Sequence, residues 1–106
     1  MPLRFTLRQL EYFVAVGETG SIALAAEKLH VSSPSISAAI AGLEADFGLQ
    51  LFVRHHARGL ALTQAGRQLK LKAGQVLAEA EAMNRLVGEI AGNVRGSLAI
   101  GCLLTF

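Results

Sequence analysis

Residues 20–52 read GSIALAAEKLHVSSPSISAAIAGLEADFGLQLF, and this stretch decides the fold. Ser21 can cap a short helix over residues 21–29, and Ser32 can cap a longer helix over residues 32–47. A serine oxygen in either place accepts a hydrogen bond from an N–H group of the first helical turn, which otherwise has no partner. Two helices joined by so short a turn are typical of a helix-turn-helix.

The longer helix has one apolar face and one face of small residues. The apolar residues follow helical spacing and are Ile36, Ile40, Leu43 and Phe47. The opposite face carries Ser33, Ser35, Ser37, Ala38 and Ala41. In a helix-turn-helix, the first turn of the second helix enters the major groove of DNA. The pattern therefore predicts a face that contacts DNA, although any three-helix bundle would also need the apolar residues.

Another helix is predicted before this pair, and a β-hairpin after it. Thr6 and Gln9 have the spacing of a capping box, which marks the start of the first helix. Short apolar runs at residues 51–53 and 60–62 predict two strands. The loop that joins them contains Arg54, His55, His56 and Arg58. A hairpin with this basic tip, a wing over residues 53–60, can follow a phosphate backbone or reach the minor groove; the alternative is an ordinary solvated loop.

A long final helix is predicted from Thr63 to about Ile90. About 28 residues at about 1.5 Å each make a helix of roughly 40 Å, which no small core can cover. Its apolar residues recur at alternating steps of four and three, as in a coiled-coil seam. They are Leu69, Ala73, Val76, Ala80, Met83, Val87 and Ile90. This seam predicts dimerisation, and the alternative is packing of the helix against the domain formed by the preceding residues of the same chain.

The sequence divides into three parts. Residues 1–62 form the predicted winged head, and residues 63–91 form the linker and dimerisation helix. Residues 92–106 contain a glycine-bounded hinge followed by an apolar run that resembles a buried strand with no sheet to join. We expect this strand to be the first of a further domain, within which the chain stops.

Composition excludes several classes of protein. The chain has 106 residues, of which 52% are hydrophobic and 17% charged, yet no run reaches the roughly 18 apolar residues of a membrane span. Residues 1–13 carry charges where a secretory signal would be apolar, and Cys102 is the only cysteine. These features favour a cytoplasmic protein without membrane association. The basic residues outnumber the acidic ones eight to five up to Lys72, which permits nucleic-acid binding.

No arrangement of residues supports an enzyme, a metal site or a cofactor. His30 lies at a predicted turn, and the serines lack a nearby base and orienting acid. His55 and His56 are adjacent, so their side chains diverge on a strand, and a third metal ligand is not evident. We therefore predict a protein that is not an enzyme and needs no cofactor.

Four stretches, in order, resemble the LysR-type transcriptional regulators. They are LRQLEYFVAV at residues 7–16, the stretch at residues 20–52, VRHHARGLALTQAG at residues 53–66 and GSLAIG at residues 96–101. The resemblance implies a mainly α fold: a winged helix-turn-helix of three helices and a two-stranded wing, followed by a long dimerisation helix. It also implies a bacterial protein that binds double-stranded DNA as a homodimer, or as a tetramer when full-length. A small-molecule inducer is expected only for the C-terminal domain beyond this sequence.

The resemblance also implies which residues contact DNA. The family's recognition motif falls on residues 32–37, its second-helix start on Ser21 and Ile22, and its wing arginines on Arg54 and Arg58. With the rest of the exposed face and the wing tip, the predicted contacts are Ser21, Ile22, Ser32, Ser33, Pro34, Ser35, Ser37, Ala38, Arg54, His56 and Arg58.

The recognition helix departs from the family pattern at two places. The family usually has Gln where this chain has Ser33, and often Arg or Lys followed by Gln at residues 38–39, which are both alanine here. Short side chains lack the bidentate selectivity of Arg or Gln, so we expect DNA shape and the wing to contribute more to recognition.

Two competing interpretations remain at this stage. One is a related winged-helix regulator, such as one resembling the molybdate-responsive type, with a different sensor attached. The other is a protein-interaction module in which the head binds another protein and the long helix only dimerises. For the regulator, dimer symmetry predicts a pseudo-palindromic operator with half-sites about one helical turn, or a multiple of it, apart.

Overall fold

The structure is a computed structural model, and it describes residues 4–55 and 59–99. Its elements are α1 (Leu7–Thr19), α2 (Ile22–Leu29), α3 (Ser33–Phe47), β1 (Phe52–His55), β2 (Gly59–Leu62) and α4 (Gln64–Ala99). The predicted mainly helical fold, a winged helix-turn-helix followed by a long helix, is confirmed. None of the described helices combines the length and apolar character needed to cross a membrane.

The helices begin where side-chain caps are available. Thr6 and Gln9 form the complete capping box of α1, with N···O distances of 2.8 and 3.1 Å. Ser21 accepts a hydrogen bond from the Leu24 N–H at the start of α2, and Ser32 accepts one from the Ser35 N–H at the start of α3. Thr63 does the same for the Gly66 N–H of α4. The predicted starts of all four helices are therefore confirmed.

The head domain is a three-helix bundle closed by the wing. Phe13 and Val16 of α1 and Ile36 and Leu43 of α3 are fully buried, together with Leu51 before β1. The small residues Ala25 and Ala26 are also buried, and they allow α2 to pack closely against its neighbours. This core holds α2 and α3 in the helix-turn-helix arrangement.

The wing is a two-stranded antiparallel sheet in which Phe52 pairs with Leu62 and Arg54 with Leu60. Arg54 and His55 thus belong to β1, whereas the sequence places them in the loop. The reason is the register, because His55 pairs with Gly59 and the ladder extends two residues beyond the apolar run. Gly59 supplies the left-handed backbone at the start of β2, with φ of +77°.

Helix α4 is longer than the sequence predicts. A hinge is expected at residues 92–96 and a strand after it, but the helix continues to Ala99. Glycine weakens a helix by about 1 kcal/mol relative to alanine, yet no proline stops this one. A helix also pairs its own backbone N–H and C=O groups, which an isolated strand cannot do. Residues 100–106, the rest of the predicted strand, lie outside the described residues.

The first part of α4 packs against the head of the same chain. Ala73 is only 2% exposed and belongs to the head core, and Leu69 and Val76 pack against that core. Ala73, one of the residues of the predicted dimer seam, is thus covered by the head of its own chain in this structure. Heptad spacing describes which face is apolar, and here α1 covers the beginning of that face.

Candidate nucleic-acid interface

The first two turns of α3 present small polar side chains to solvent. Ser33, Pro34, Ser35, Ser37 and Ala38 are all exposed, as the sequence predicts. The first turn is held by its own side chains, because the Ser32 and Ser35 hydroxyl oxygens lie 2.7 Å apart and share a hydrogen bond. This leaves a shallow, uncharged surface that a large rigid ligand can approach closely.

Arg54 connects this surface to the wing. It is exposed on β1 and lines a cleft with Ser21, Ile22 and Ser33. Arg54 also lines a second cleft, together with Ile22 and Ser37. The structure therefore brings four of the other predicted contacts together around Arg54.

Ser21 and Ile22 also stabilise the fold of the head. The Ser21 oxygen caps α2, and the Ile22 side chain is half-buried against the head core. Only the exposed part of each side chain is therefore available for the predicted contact with DNA. His56 and Arg58, the other predicted wing contacts, lie outside the described residues.

Two contacts attach the wing to the helices, and the sequence pattern does not reveal either. A Glu44 carboxylate oxygen near the end of α3 accepts hydrogen bonds from the Leu51 N–H at 2.8 Å and the Phe52 N–H at 3.3 Å. On the other strand, the Leu60 N–H donates to the Gly20 carbonyl oxygen at 3.0 Å. The wing is thus held both to α3 and to the turn before α2.

The second cleft is also lined by residues that are not among the predicted contacts. Ala41 and Glu44 of α3 and Gln50 of the following loop line it beside Ser37. Helical spacing already places Ala41 on the exposed face of α3, one turn after Ser37, whereas Glu44 was not predicted to lie at this surface. Gln50 has no such signal, because its place depends on how the loop returns to the wing.

Among the described residues, Arg54 is the cation that lines this surface. Helix α3 contains no lysine or arginine, and its two charged residues, Glu44 and Asp46, lie in its last two turns. Lys28 of α2 is paired with Glu18 of α1 at 3.2 Å, with both side chains about half exposed. Arg54 is consequently the cation best placed beside the exposed serines.

The distal half of α4 carries the remaining predicted dimer residues. Met83, Val87 and Ile90 are 67%, 57% and 51% exposed, and the neighbouring Leu86 is 53% exposed. Ala80 and Met83 line an apolar groove between α4 and Leu7 at the start of α1. In the described residues, this face has no covering element.

The profile of a known family matches residues 7–67, and its description is bacterial regulatory helix-turn-helix protein, lysR family. This chain belongs to the LysR family. The family predicted from the sequence is thus confirmed, and the matched residues contain the whole helix-turn-helix and wing.

Relatives in the family are transcriptional regulators. The chain is 37% identical over 95 residues to the nitrogen assimilation regulatory protein nac of Klebsiella aerogenes, covering 90% of this chain and 31% of that protein. It is 40% identical over 94 residues to the HTH-type transcriptional regulator TfdT of Cupriavidus pinatubonensis, covering 89% and 41%. The chain thus spans less than half the length of these relatives.

Two similar crystal structures contain DNA. The complex of the CbnR DNA-binding domain with DNA matches with a TM-score of 0.75 and 41% identity, over 82% of this chain and 99% of that one. The complex of the BenM DNA-binding domain with catB site 1 DNA matches with a TM-score of 0.77 and 34% identity, over 84% and 95%. The resemblance in fold therefore extends beyond the head into α4.

Proposed function

We propose that this chain is the DNA-binding part of a LysR-family transcriptional regulator and that it recognises double-stranded DNA sequence-specifically. The observation that carries the proposal is the cleft that Arg54 shares with Ser21 and Ser33. A guanidinium group can neutralise a phosphate, while serine hydroxyls can bond either a phosphate or a base edge. The DNA complexes of the similar CbnR and BenM domains support this assignment.

In this proposal, α3 enters the major groove with its first two turns. The exposed Ser33, Ser35 and Ser37 offer hydroxyl groups to base edges or phosphates, and the Ala38 methyl can touch a thymine methyl. Pro34 contributes only close apolar contact. Ser21, Ile22 and Ser32 border the same surface, and the wing adds Arg54 together with His56 and Arg58.

The first experiment is a fluorescence anisotropy titration of the chain. The DNA probes are the intergenic DNA upstream of its own gene and a scrambled duplex, each at several salt concentrations. We expect tighter, saturable binding to the upstream DNA and weaker binding as salt rises. Absence of binding to both duplexes by the folded chain would overturn the proposal and favour a head that binds another protein.

Substitution of Arg54 tests the wing. Arg54→Ala should weaken binding to both duplexes alike and reduce the slope of log K against log salt by about 0.9, the effect of one lost phosphate contact. Arg85→Ala is the matched control, because Arg85 is an exposed arginine on the distal part of α4. Equal slopes for the wild type and Arg54→Ala would remove Arg54 from the interface.

Substitution of Ser33 tests the recognition helix. Ser33→Ala should change the preference between upstream and scrambled DNA if the hydroxyl bonds a base, by an energy on the order of 1 kcal/mol. Equal losses on both duplexes would reassign Ser33 to phosphate contact. Binding of both by Ser33→Ala as strong as by the wild type would exclude Ser33 from either role.

We also propose that the distal half of α4 pairs two copies of the chain. The support is the row of large apolar side chains at Met83, Leu86, Val87 and Ile90, each more than half exposed. A second copy can cover this row, with Leu7 at the edge of the same groove. The proposed contact uses Ala80, Met83, Val87 and Ile90 of the predicted seam. Leu69 and Val76 lie at its head-side edge, and Ala73 is left out because it is buried in the head core.

Analytical ultracentrifugation tests this dimer. Val87→Glu should shift the chain from dimer to monomer, because a carboxylate would be buried in an apolar contact. Ala78→Glu is the control, since Ala78 lies about two and a half turns earlier and therefore on the opposite face. A monomeric wild type, or equal effects of the two variants, would contradict the assignment.

The dimer has consequences for the operator. Two heads related by two-fold symmetry require two half-sites about one helical turn of DNA, or a multiple of it, apart. We propose a pseudo-palindromic operator for this reason. Footprinting should show two protected half-sites, and protection of a single half-site would contradict the symmetric arrangement.

The assignment extends to the intact regulator. We propose a head over residues 1–62, a linker helix after it, and a further domain that binds a small-molecule inducer beyond this sequence. Such a protein would act in the bacterial cytoplasm, as a dimer or, when full-length, a tetramer. Sedimentation of the full-length protein with and without candidate inducers tests this assembly, and a monomer under every condition would contradict it.

A further inference from the structure

We infer that Gly59 is a positioning residue that sets the distance between Arg54 of the wing and the start of α2. The inference rests on the proposed DNA-binding function. It concerns how two halves of one surface, the wing and the helix-turn-helix, are held at the spacing that a single DNA molecule requires.

Gly59 and Gly20 meet where the wing touches the turn before α2. Both have left-handed backbones, with φ of +77° and +73°. A Cβ atom on Gly59 would lie 2.6 Å from the Gly20 carbonyl oxygen, closer than real Cβ atoms approach a neighbour. The next residue, Leu60, donates its N–H to that same oxygen at 3.0 Å. One carbonyl oxygen therefore anchors the base of β2 and also leaves no room for a side chain.

The strand pairing transmits this contact to Arg54. Leu60, which bonds Gly20, is the direct partner of Arg54 in the β1–β2 ladder. Gly20, Gly59 and Leu60 also line the cleft that Arg54 shares with Ser21 and Ser33. A displacement of β2 away from Gly20 would consequently carry Arg54 away from the serines.

The displacement of β2 needed to fit a side chain at Gly59 is large compared with the range of lengths that a hydrogen bond tolerates. Ordinary Cβ contacts are 3.4 Å or longer, so β2 would have to retreat from Gly20 by about 1 Å. Bonds between a guanidinium and a phosphate are confined to a narrow range of about 2.7–2.9 Å. A shift of that size is enough for Arg54 to lose a phosphate that the helix-turn-helix still holds.

Gly48 provides a matched control for the backbone. It also has a left-handed conformation, with φ of +65°, but a Cβ atom there would have nothing within 4 Å. Substitution of Gly48 therefore introduces the strain of a left-handed alanine without a steric contact. A difference between Gly48 and Gly59 variants isolates the contact with Gly20.

The test is a double-mutant cycle measured by anisotropy at several salt concentrations, on upstream and scrambled duplexes. We expect Gly59→Ala to reduce the slope of log K against log salt by about 0.9, as Arg54→Ala does. The double variant Arg54→Ala/Gly59→Ala should show no further loss of slope, because both changes remove the same contact. Gly48→Ala should retain the wild-type slope.

The outcomes separate this inference from the proposed function. If the wild type does not bind DNA, the proposed function fails. If the wild type binds and Gly59→Ala keeps its slope, or if the losses from Arg54→Ala and Gly59→Ala add, only the positioning role is overturned. Should Gly59→Ala not fold by circular dichroism, Gly59→Asn and Gly48→Asn replace the pair, because asparagine tolerates the left-handed backbone. Failure of both Gly59 variants to fold, with both Gly48 variants folded, would make Gly59 a folding residue and overturn the inference.

Discussion

The head domain and the distal half of α4 both have apolar residues at helical spacing, but only the head buries them. Phe13, Ile36 and Leu43 are fully buried, whereas Met83 and Val87 are 67% and 57% exposed. In the head, three short helices and the wing pack their apolar faces around one core. The distal half of α4 extends beyond that core. Spacing therefore predicts that a face is apolar, while the path of the chain decides what covers it.

The boundary between the two regions lies within α4 itself. Ala73 is buried in the head core, and Val76 packs against that core one turn later. From Met83 to Ile90, the same face is exposed. One continuous helix thus has a first part whose apolar face packs against the head and a second part whose apolar face is exposed.

The largest expected effect tests the burial difference directly. Leu43→Ala should lower the free energy of unfolding by about 3 kcal/mol, because it removes a fully buried side chain and leaves a cavity. Leu71→Ala is the matched control on α4, where Leu71 is 73% exposed, and should change it by less than about 0.5 kcal/mol. Urea denaturation at one protein concentration measures both. Equal losses would contradict the difference between the regions.

A second pair of variants tests the junction between the head and α4. Gly66 is so close to the Leu51 carbonyl oxygen and the Leu62 side chain that an added Cβ would overlap the former. Gly66→Ala should therefore destabilise the chain by about 2 kcal/mol, despite the higher helix propensity of alanine.

Gly74→Ala is the control for that propensity. Gly74 lies two turns later on the same helix, and a Cβ there would have nothing within 4 Å. The free energy of unfolding of this variant, measured by urea denaturation, should be up to about 1 kcal/mol higher than that of the wild type. If Gly66→Ala were also stabilising, the head and α4 would be packed less closely than the structure indicates.

The parts of the fold that were predicted from the sequence depend on local signals. The serine and threonine caps that start the helices act within one helical turn, so their residues can be recognised without knowing the fold. The exposed serine face of α3 follows from helical spacing around Ile36 and Leu43. These signals are sufficient for the helix-turn-helix, and the short apolar runs at residues 51–53 and 60–62 are sufficient for the existence of the wing.

The parts that were missed depend on contacts between distant residues. Glu44 bonds the N–H groups of Leu51 and Phe52, and no spacing rule relates a helix carboxylate to the strand that follows a loop. The burial of Ala73 depends on α1, some sixty residues earlier. For the same reason, the approach of Gly59 to Gly20 becomes visible only when the wing is seen against the turn before α2.

The smallest expected effects come from substitutions of two serines of the head. One serine stabilises its helix, and the other only faces solvent. Ser32 caps α3 through the Ser35 N–H at 3.2 Å, so Ser32→Ala should cost about 1 kcal/mol of unfolding free energy. Ser37→Ala, at an exposed site in the second turn of α3, should stay within about 0.5 kcal/mol of the wild type. Thermal unfolding measures the stability of both variants, and a DNA titration in the same buffer measures their affinity for DNA. If Ser37→Ala weakens DNA binding without loss of stability, the exposed face acts on DNA directly. A loss of binding by Ser32→Ala that merely follows its loss of stability would instead assign Ser32 to the scaffold, and would narrow the proposed contacts on α3 to the residues after it.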